Sequence, residues 1–122
     1  MTKVRGIRGA TTADANTKNA ILEATQELLE ELIEANGIDP DDVAAAIFTT
    51  TNDLNAEFPA VAARQLGWTH VALMCGHEMA VPESQPRCIR ALVLINTDKA
   101  PKELSNKYLK EAKNLRSRGL EV

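Results

Sequence analysis

Apolar residues recur along this chain with two different periods. Between residues 18 and 36 the recurrence is helical: Ile21, Leu22, Thr25, Leu28, Leu29, Leu32 and Ile33 share one side, while Glu23, Glu27, Glu30, Glu31 and Glu34 fall mostly elsewhere. Asn16 or Thr17 can cap the start, and Asn36-Gly37 stops the helix with a glycine suited to a left-handed cap. Other segments follow a period of two. Val4 to Thr12 reads as a strand carrying two glycines, Ala45 to Thr51 as a second strand ending in β-branched residues, and His70 to Cys75 as a third. A fourth runs from Arg87 to Ile95. Period two puts Cys88, Arg90, Leu92 and Leu94 on one of its faces and Ile89, Ala91, Val93 and Ile95 on the other. Both faces are strongly apolar, so this strand is expected to be covered on both sides.

Turn chemistry separates these segments. Pro40 opens one short helical turn, Pro59 to Leu66 forms a second helix ended by Gly67, and Pro101 opens a last helix through about Lys113. Residues 114–122 make a polar tail that is expected to be mobile. The order is β-α-β-α-β-β-α, which points to a sheet covered by helices. No repeat, linker or low-complexity block interrupts residues 1–122, so the chain reads as a single domain.

Arg90 stands out against this pattern. A guanidinium inside an apolar strand needs a fixed carboxylate partner, a wet strand end, or an anionic ligand. Arg8 lies on the glycine-containing first strand, in phase with Val4, Gly6 and Ala10; Arg5 has the opposite phase, so the two cannot share a face. Arg64 falls on the second helix, Arg116 in the tail, and Glu78 just after the third strand. Each of Arg64 and Arg116 taken alone is a solvated surface residue. Tyr108, the only tyrosine, reads as a core or boundary residue of the last helix, and Phe58 as a cap residue before Pro59. Should several of these groups converge, they form a cationic pocket with one acceptor, suited to a small polycarboxylate.

Composition narrows the class. With 14 basic and 17 acidic residues the net charge is −3 and no face is obviously basic, so nucleic acid is not expected as a partner. No apolar run reaches membrane-span length, and Met1-Thr2-Lys3-Val4-Arg5 lacks the apolar core of a signal peptide. Two cysteines make no disulfide framework, and a cytoplasmic protein with free thiols is expected. Apolar residues make up 44% of the chain but aromatics only 3%, and many of the rest are alanines. Burial per residue is therefore modest, which favours extra burial in an oligomer. Phosphate-binding glycine loops and a Gly-x-Ser-x-Gly elbow are absent from the sequence. Cys75, His77 and Cys88 have no familiar metal spacing, so they read as free structural residues, and no metal or cofactor is expected.

Several pieces, taken in order, resemble a known family. They are Arg5-Gly6-Ile7-Arg8-Gly9-Ala10-Thr11-Thr12, Phe58-Pro59-Ala60 with Ala63-Arg64, Cys75 with Glu78-Met79, Cys88-Ile89-Arg90, Asn96-Thr97-Asp98, and Tyr108-Leu109 with Leu115-Arg116. This set is similar to the small trimeric α/β-type bacterial chorismate mutases. The resemblance implies an α+β domain with a mixed sheet, assembling as a pseudo-α/β-barrel homotrimer with sites in clefts between subunits. It implies rearrangement of chorismate to prephenate, on the route to phenylalanine and tyrosine, with no cofactor. Carried over by position, Arg90 would meet the ether oxygen, and Glu78 would take the ring hydroxyl with Cys75 helping to orient it. Arg8 would bind a carboxylate, with Tyr108 beside it. Phe58, Leu73 and Met74 would line the ring, and Arg64 and Arg116 would enclose the ligand from the mouth.

The chain departs from that pattern in four places. Met74 stands where a hydroxyl residue is common, and Leu104-Ser105-Asn106-Lys107 precedes Tyr108 in place of a basic-His pair. Glu83 replaces a common glycine and is expected to alter the turn before Arg90. The tail reads Leu115-Arg116-Ser117-Arg118, which bears on how the site closes. Two other readings compete: a non-catalytic trimeric metabolite-binding protein, and an imine-deaminase-like enzyme of similar fold.

Overall fold

The computed structural model describes residues 2–117, with the side chains of residues 114, 116 and 117 outside the description. Seven elements are regular: β1 (Lys3–Thr12), α1 (Lys18–Asn36), β2 (Val43–Thr50), α2 (Ala60–Gln65), β3 (Ala72–His77), β4 (Cys88–Thr97) and β5 (Lys107–Tyr108). Short 3-10 turns cover Pro40–Asp42, Pro101–Glu103 and Lys110–Ser117. The strands form one mixed sheet in the order β3-β2-β4-β1-β5. β2 runs parallel to β3 and antiparallel to β4, and β1 runs antiparallel to β4 and parallel to β5.

α1 forms where the helical period lies. Thr17 is the cap: its hydroxyl accepts the Ala20 N–H at 3.1 Å. Gly37 closes the other end at φ 61°, donating its N–H to Ile33 O. Ile21, Leu28, Leu29 and Leu32 are fully buried against the sheet. Each buried side chain of that size contributes about 1.5–3 kcal/mol by removal from water. α1 approaches closely because β1 carries Gly9, where a Cβ would meet Leu28 Cδ1 at 2.8 Å and Leu32 Cδ1 at 3.0 Å. Ile7, Ala46, Phe48, Ala91 and Val93 complete this core, with Trp68 and the α2 residues Ala60 and Ala63 at one side.

The strand β4 is covered on one face only within a single chain. Ile89, Ala91, Val93 and Ile95 face the helices and are buried, whereas Leu92 and Leu94 are half-buried and Arg90 is exposed. Val4, Ile47 and Met74 also stand exposed, Met74 by 66%. Ile47 pairs with both Met74 and Leu92 across the ladders, so these side chains share that open face.

The expected last helix does not form. Pro101 opens a single 3-10 turn, and Lys107–Tyr108 pair with Gly9 and Ala10 at the edge of β1. Edge strands present unpaired backbone groups, and here they capture a segment of weak helical pattern. A second 3-10 stretch follows, entered through Lys110 at φ 52°. The start of the tail is docked: Leu115 is half-buried against the cluster of Ala10, Cys88 and Ala112. Residues 118–122 lie outside the described part, as does the expectation of mobility there. β3 begins two residues later than expected and runs on to His77. Phe58 is 67% exposed, so it is not a buried staple for α2.

Candidate active site

Residue register builds the site. Across the open face, Gly76 pairs with Thr49, Thr49 with Arg90, Arg90 with Ala10, and Ala10 with Tyr108. This row crosses all five strands. Ala10 is small, which leaves room between Arg90 and Tyr108. Arg8 pairs with Leu92 in the adjacent row and so stands diagonally from Arg90. Together with Glu78, Ile47 and Leu115, all of these residues except Gly76 line a cavity of about 330 Å³.

The start of β4 is fixed before Arg90 is reached. Arg87 has a left-handed backbone at φ 49°, a strained conformation for a non-glycine residue. Its N–H donates to the Asp53 carboxylate at 2.9 Å, its carbonyl accepts the Ala13 N–H at 2.8 Å, and its guanidinium donates to Asp14 O at 3.0 Å. Those bonds over-determine the turn. The preceding loop keeps a second left-handed residue, Glu83 at φ 68°, although no glycine is present.

Glu78 is oriented by its own strand end. Its N–H donates to Thr50 O at 2.7 Å, and its carboxylate accepts the Met79 N–H at 3.0 Å and the Thr49 hydroxyl at 3.4 Å. Arg90 Nη1 lies 3.5 Å from Glu78 Oε2, with both side chains partly exposed. A half-exposed pair at that distance is worth at most about 1 kcal/mol, so Arg90 keeps donors for an incoming acceptor. Beneath it, Cys88 is buried with Ala10 and Ala112. Burial pushes its thiol above the usual range, against the opposing pull of the nearby Arg90 guanidinium.

A second cluster lies on the other side of the sheet. Phe58, Pro59, Cys75 and His77 line a separate cavity of about 360 Å³. Cys75 pairs with Phe48 and so faces the helices; its sulfur accepts the Ala60 N–H, with Arg64 nearby. Burial raises this thiol too, and the Ala60 N–H and the Arg64 charge work against the rise. Leu73 packs into the helix-covered core, whereas Met74 projects from the open face.

Of the residues singled out from sequence, the chain therefore gathers Arg8, Glu78, Arg90 and Tyr108 in one cavity, and Phe58, Cys75 and Arg64 in another place. It does not bring Cys75 to Glu78. The Arg116 side chain lies outside the described part. Thr49 was missed, although it stands directly opposite Arg90; only the register reveals it. Asn106 was also missed as a site residue: its Oδ1 accepts the Arg8 N–H at 2.8 Å. Among the described residues, no group of three His, Cys, Asp or Glu side chains could hold a metal ion, and no helix is long and apolar enough to cross a membrane.

Known proteins share the sequence and the fold of this chain. A model of the family "chorismate mutase type I" matches residues 4–118. The chain is 51% identical over 114 residues to chorismate mutase AroH of Thermus thermophilus, covering 93% of each. It is 41% identical to chorismate mutase AroH of Bacillus subtilis (strain 168), covering 93% of this chain and 90% of that one. A solved chorismate mutase from Clostridium thermocellum superposes with a TM-score of 0.88 at 50% identity, over 89% of this chain and 97% of that one. Sequence and fold agree, and the chain belongs to the type I chorismate mutases.

Proposed function

We propose that this protein rearranges chorismate to prephenate in the cytoplasm, supplying phenylalanine and tyrosine synthesis. The observation that carries the reading is the 3.5 Å placement of Arg90 beside Glu78, in a cavity that also holds the Arg8 guanidinium. In this rearrangement the ether C–O bond breaks while a C–C bond forms within the same molecule. Electron pairs move inside the substrate, and no atom or proton leaves it. The protein's task is to hold a compact conformer and to stabilise charge as it develops.

Arg90 donates to the ether oxygen, which gains negative charge as its bond lengthens. Glu78 accepts from the ring hydroxyl and faces the electron-poor fragment. Arg8 forks onto a carboxylate, and Tyr108 hydrogen-bonds beside it. The remaining residues act from a neighbouring subunit: Phe58, Leu73 and Met74 along the ring, Cys75 toward the hydroxyl, and Arg64 at the mouth. Arg116 closes the site from the C-terminal segment. Two observations support a homotrimer with such shared sites. The open face exposes Val4, Ile47 and Met74, which need cover, and the two residue clusters line separate cavities on opposite faces of the sheet.

The test is loss of chorismate absorbance by purified protein, run beside Arg90→Ala. Wild-type protein is expected to form prephenate, and the variant to lose about 10³-fold or more in kcat, the scale of an oxyanion donor. A folded wild-type protein that leaves chorismate unchanged would refute the catalytic reading.

A further inference from the structure

The last residue of α1, Asn36, is 96% removed from solvent yet serves no part of the core. Its Nδ2 donates to Leu32 O at 3.0 Å and to Ser105 O at 2.9 Å, and its Oδ1 accepts the Ser105 N–H at 2.8 Å. One side chain thus occupies both main-chain groups of Ser105, as a neighbouring strand would. Only one orientation of the amide serves all three partners. The following residue continues the anchorage, since Asn106 Oδ1 accepts the Arg8 N–H. Two residues further on, Tyr108 reaches the cavity.

β5 has little of its own to fix this approach. It is two residues long, and past it the Leu109 N–H, donated to Ala10 O at 2.9 Å, and the packing of Ala112 and Leu115 on Ala10 extend the attachment to β1. So short a ladder leaves its register weakly specified. We propose that Asn36 is a positioning residue for Tyr108: its buried carboxamide fixes the chain at Ser105 and thereby sets how deeply the tyrosine ring enters the cavity. The proposal rests on the mutase reading for its kinetic consequence and not for its structural one. Ser105 is exposed, so water replaces the lost bonds when the carboxamide is removed, and the fold persists while the approach of Tyr108 loosens.

The composition of the chain supplies the probe. Tyr108 is its only tyrosine and Trp68 its only tryptophan, the latter fully buried in the main core. In ring-labelled protein, Asn36→Ala is expected to move or broaden the single tyrosine signal and leave the tryptophan signal in place. Kinetically it is expected to raise KM for chorismate about fivefold with kcat within about twofold, the mark of lost ground-state and transition-state binding alike. In a Tyr108→Ala background the Asn36 substitution is expected to add nothing. Asn36→Gln keeps both amide groups and the helix end but lengthens the link, and is expected to shift the tyrosine signal in its turn. An unmoved tyrosine signal, a tryptophan signal that moves with it, or independent effects in the double variant would each overturn the proposal, as would unfolding of both Asn36 variants. Absence of turnover in the wild type would sink the mutase reading alone, because the ring signals still decide the coupling.

Discussion

The two faces of the sheet are built to different rules. The helix-covered face holds Ile7, Phe48, Ile89 and Val93 at zero exposure, with Gly9 shaped to admit α1. The opposite face carries Arg8, Arg90, Thr49 and the exposed Ile47 and Met74. On the first, every side chain answers to its neighbours in the same chain. On the second, charges and apolar groups stand without full cover from the same chain, the kind of surface on which binding sites are built. Alternation along β1 and β4 lets one pair of strands serve both faces, so stability and recognition are encoded in interleaved positions.

That contrast can be broken most severely at Arg90, through the loss of turnover set out above for Arg90→Ala. The next test separates the two clusters. Arg90→Ala damages the open-face cavity and Arg64→Ala the helix-side one. If each site joins one cluster from each of two subunits of a trimer, mixing and reassembling the two variants in equal amounts restores both clusters to about a quarter of the sites, since one site of three is intact in each mixed trimer. Activity that stays at the level of the separate variants would place both clusters in independent sites.

A smaller effect is expected on the covered face. Thr11 is fully buried and its hydroxyl has no hydrogen-bond partner. Thr11→Val keeps the shape and removes the unsatisfied group, so it is expected to raise unfolding free energy by about 1 kcal/mol without changing kcat. Denaturant titration beside a turnover assay checks both halves of that statement.

The smallest effect concerns alkaline pH. Burial raises the Cys88 thiol above its unfolded value of 9.0. A raised acid favours the folded state fully below that value, and the contribution is lost as pH climbs through the folded one. Wild-type stability is therefore expected to fall from about pH 9 upward, with a shallower slope in Cys88→Ala. Urea midpoints taken from about pH 8 to about pH 10.5 measure the two slopes, and identical slopes would remove Cys88 from the account.

How much of this was legible beforehand depended on the range of the interaction. α1 could be read in full because its signals are local: apolar spacing, a threonine cap and Asn36-Gly37. The segment after Pro101 could not, because Lys107–Tyr108 take their conformation from Gly9 and Ala10, about a hundred residues earlier in the chain. The candidate site was named through resemblance, and spacing alone would not have joined Arg8 to Arg90. Their meeting depends on an antiparallel register between strands far apart in sequence. Cys75 and Glu78 part for a similar reason: β3 runs on to His77, which leaves Cys75 on the helix side opposite Phe48 while Glu78 joins the open-face cavity.

The ladder between β1 and β4 also bears on how this sequence can change by descent. Arg8 reaches the cavity because Ala10 lies opposite Arg90. A changed letter in β1 alters one contact. Deleting Gly6, with the start of β1 held in register, turns that guanidinium toward α1 and puts Ile7 on the open face opposite Leu94. The loop around Glu83 pairs in no ladder, so a change of length there leaves both registers of β4 as they are.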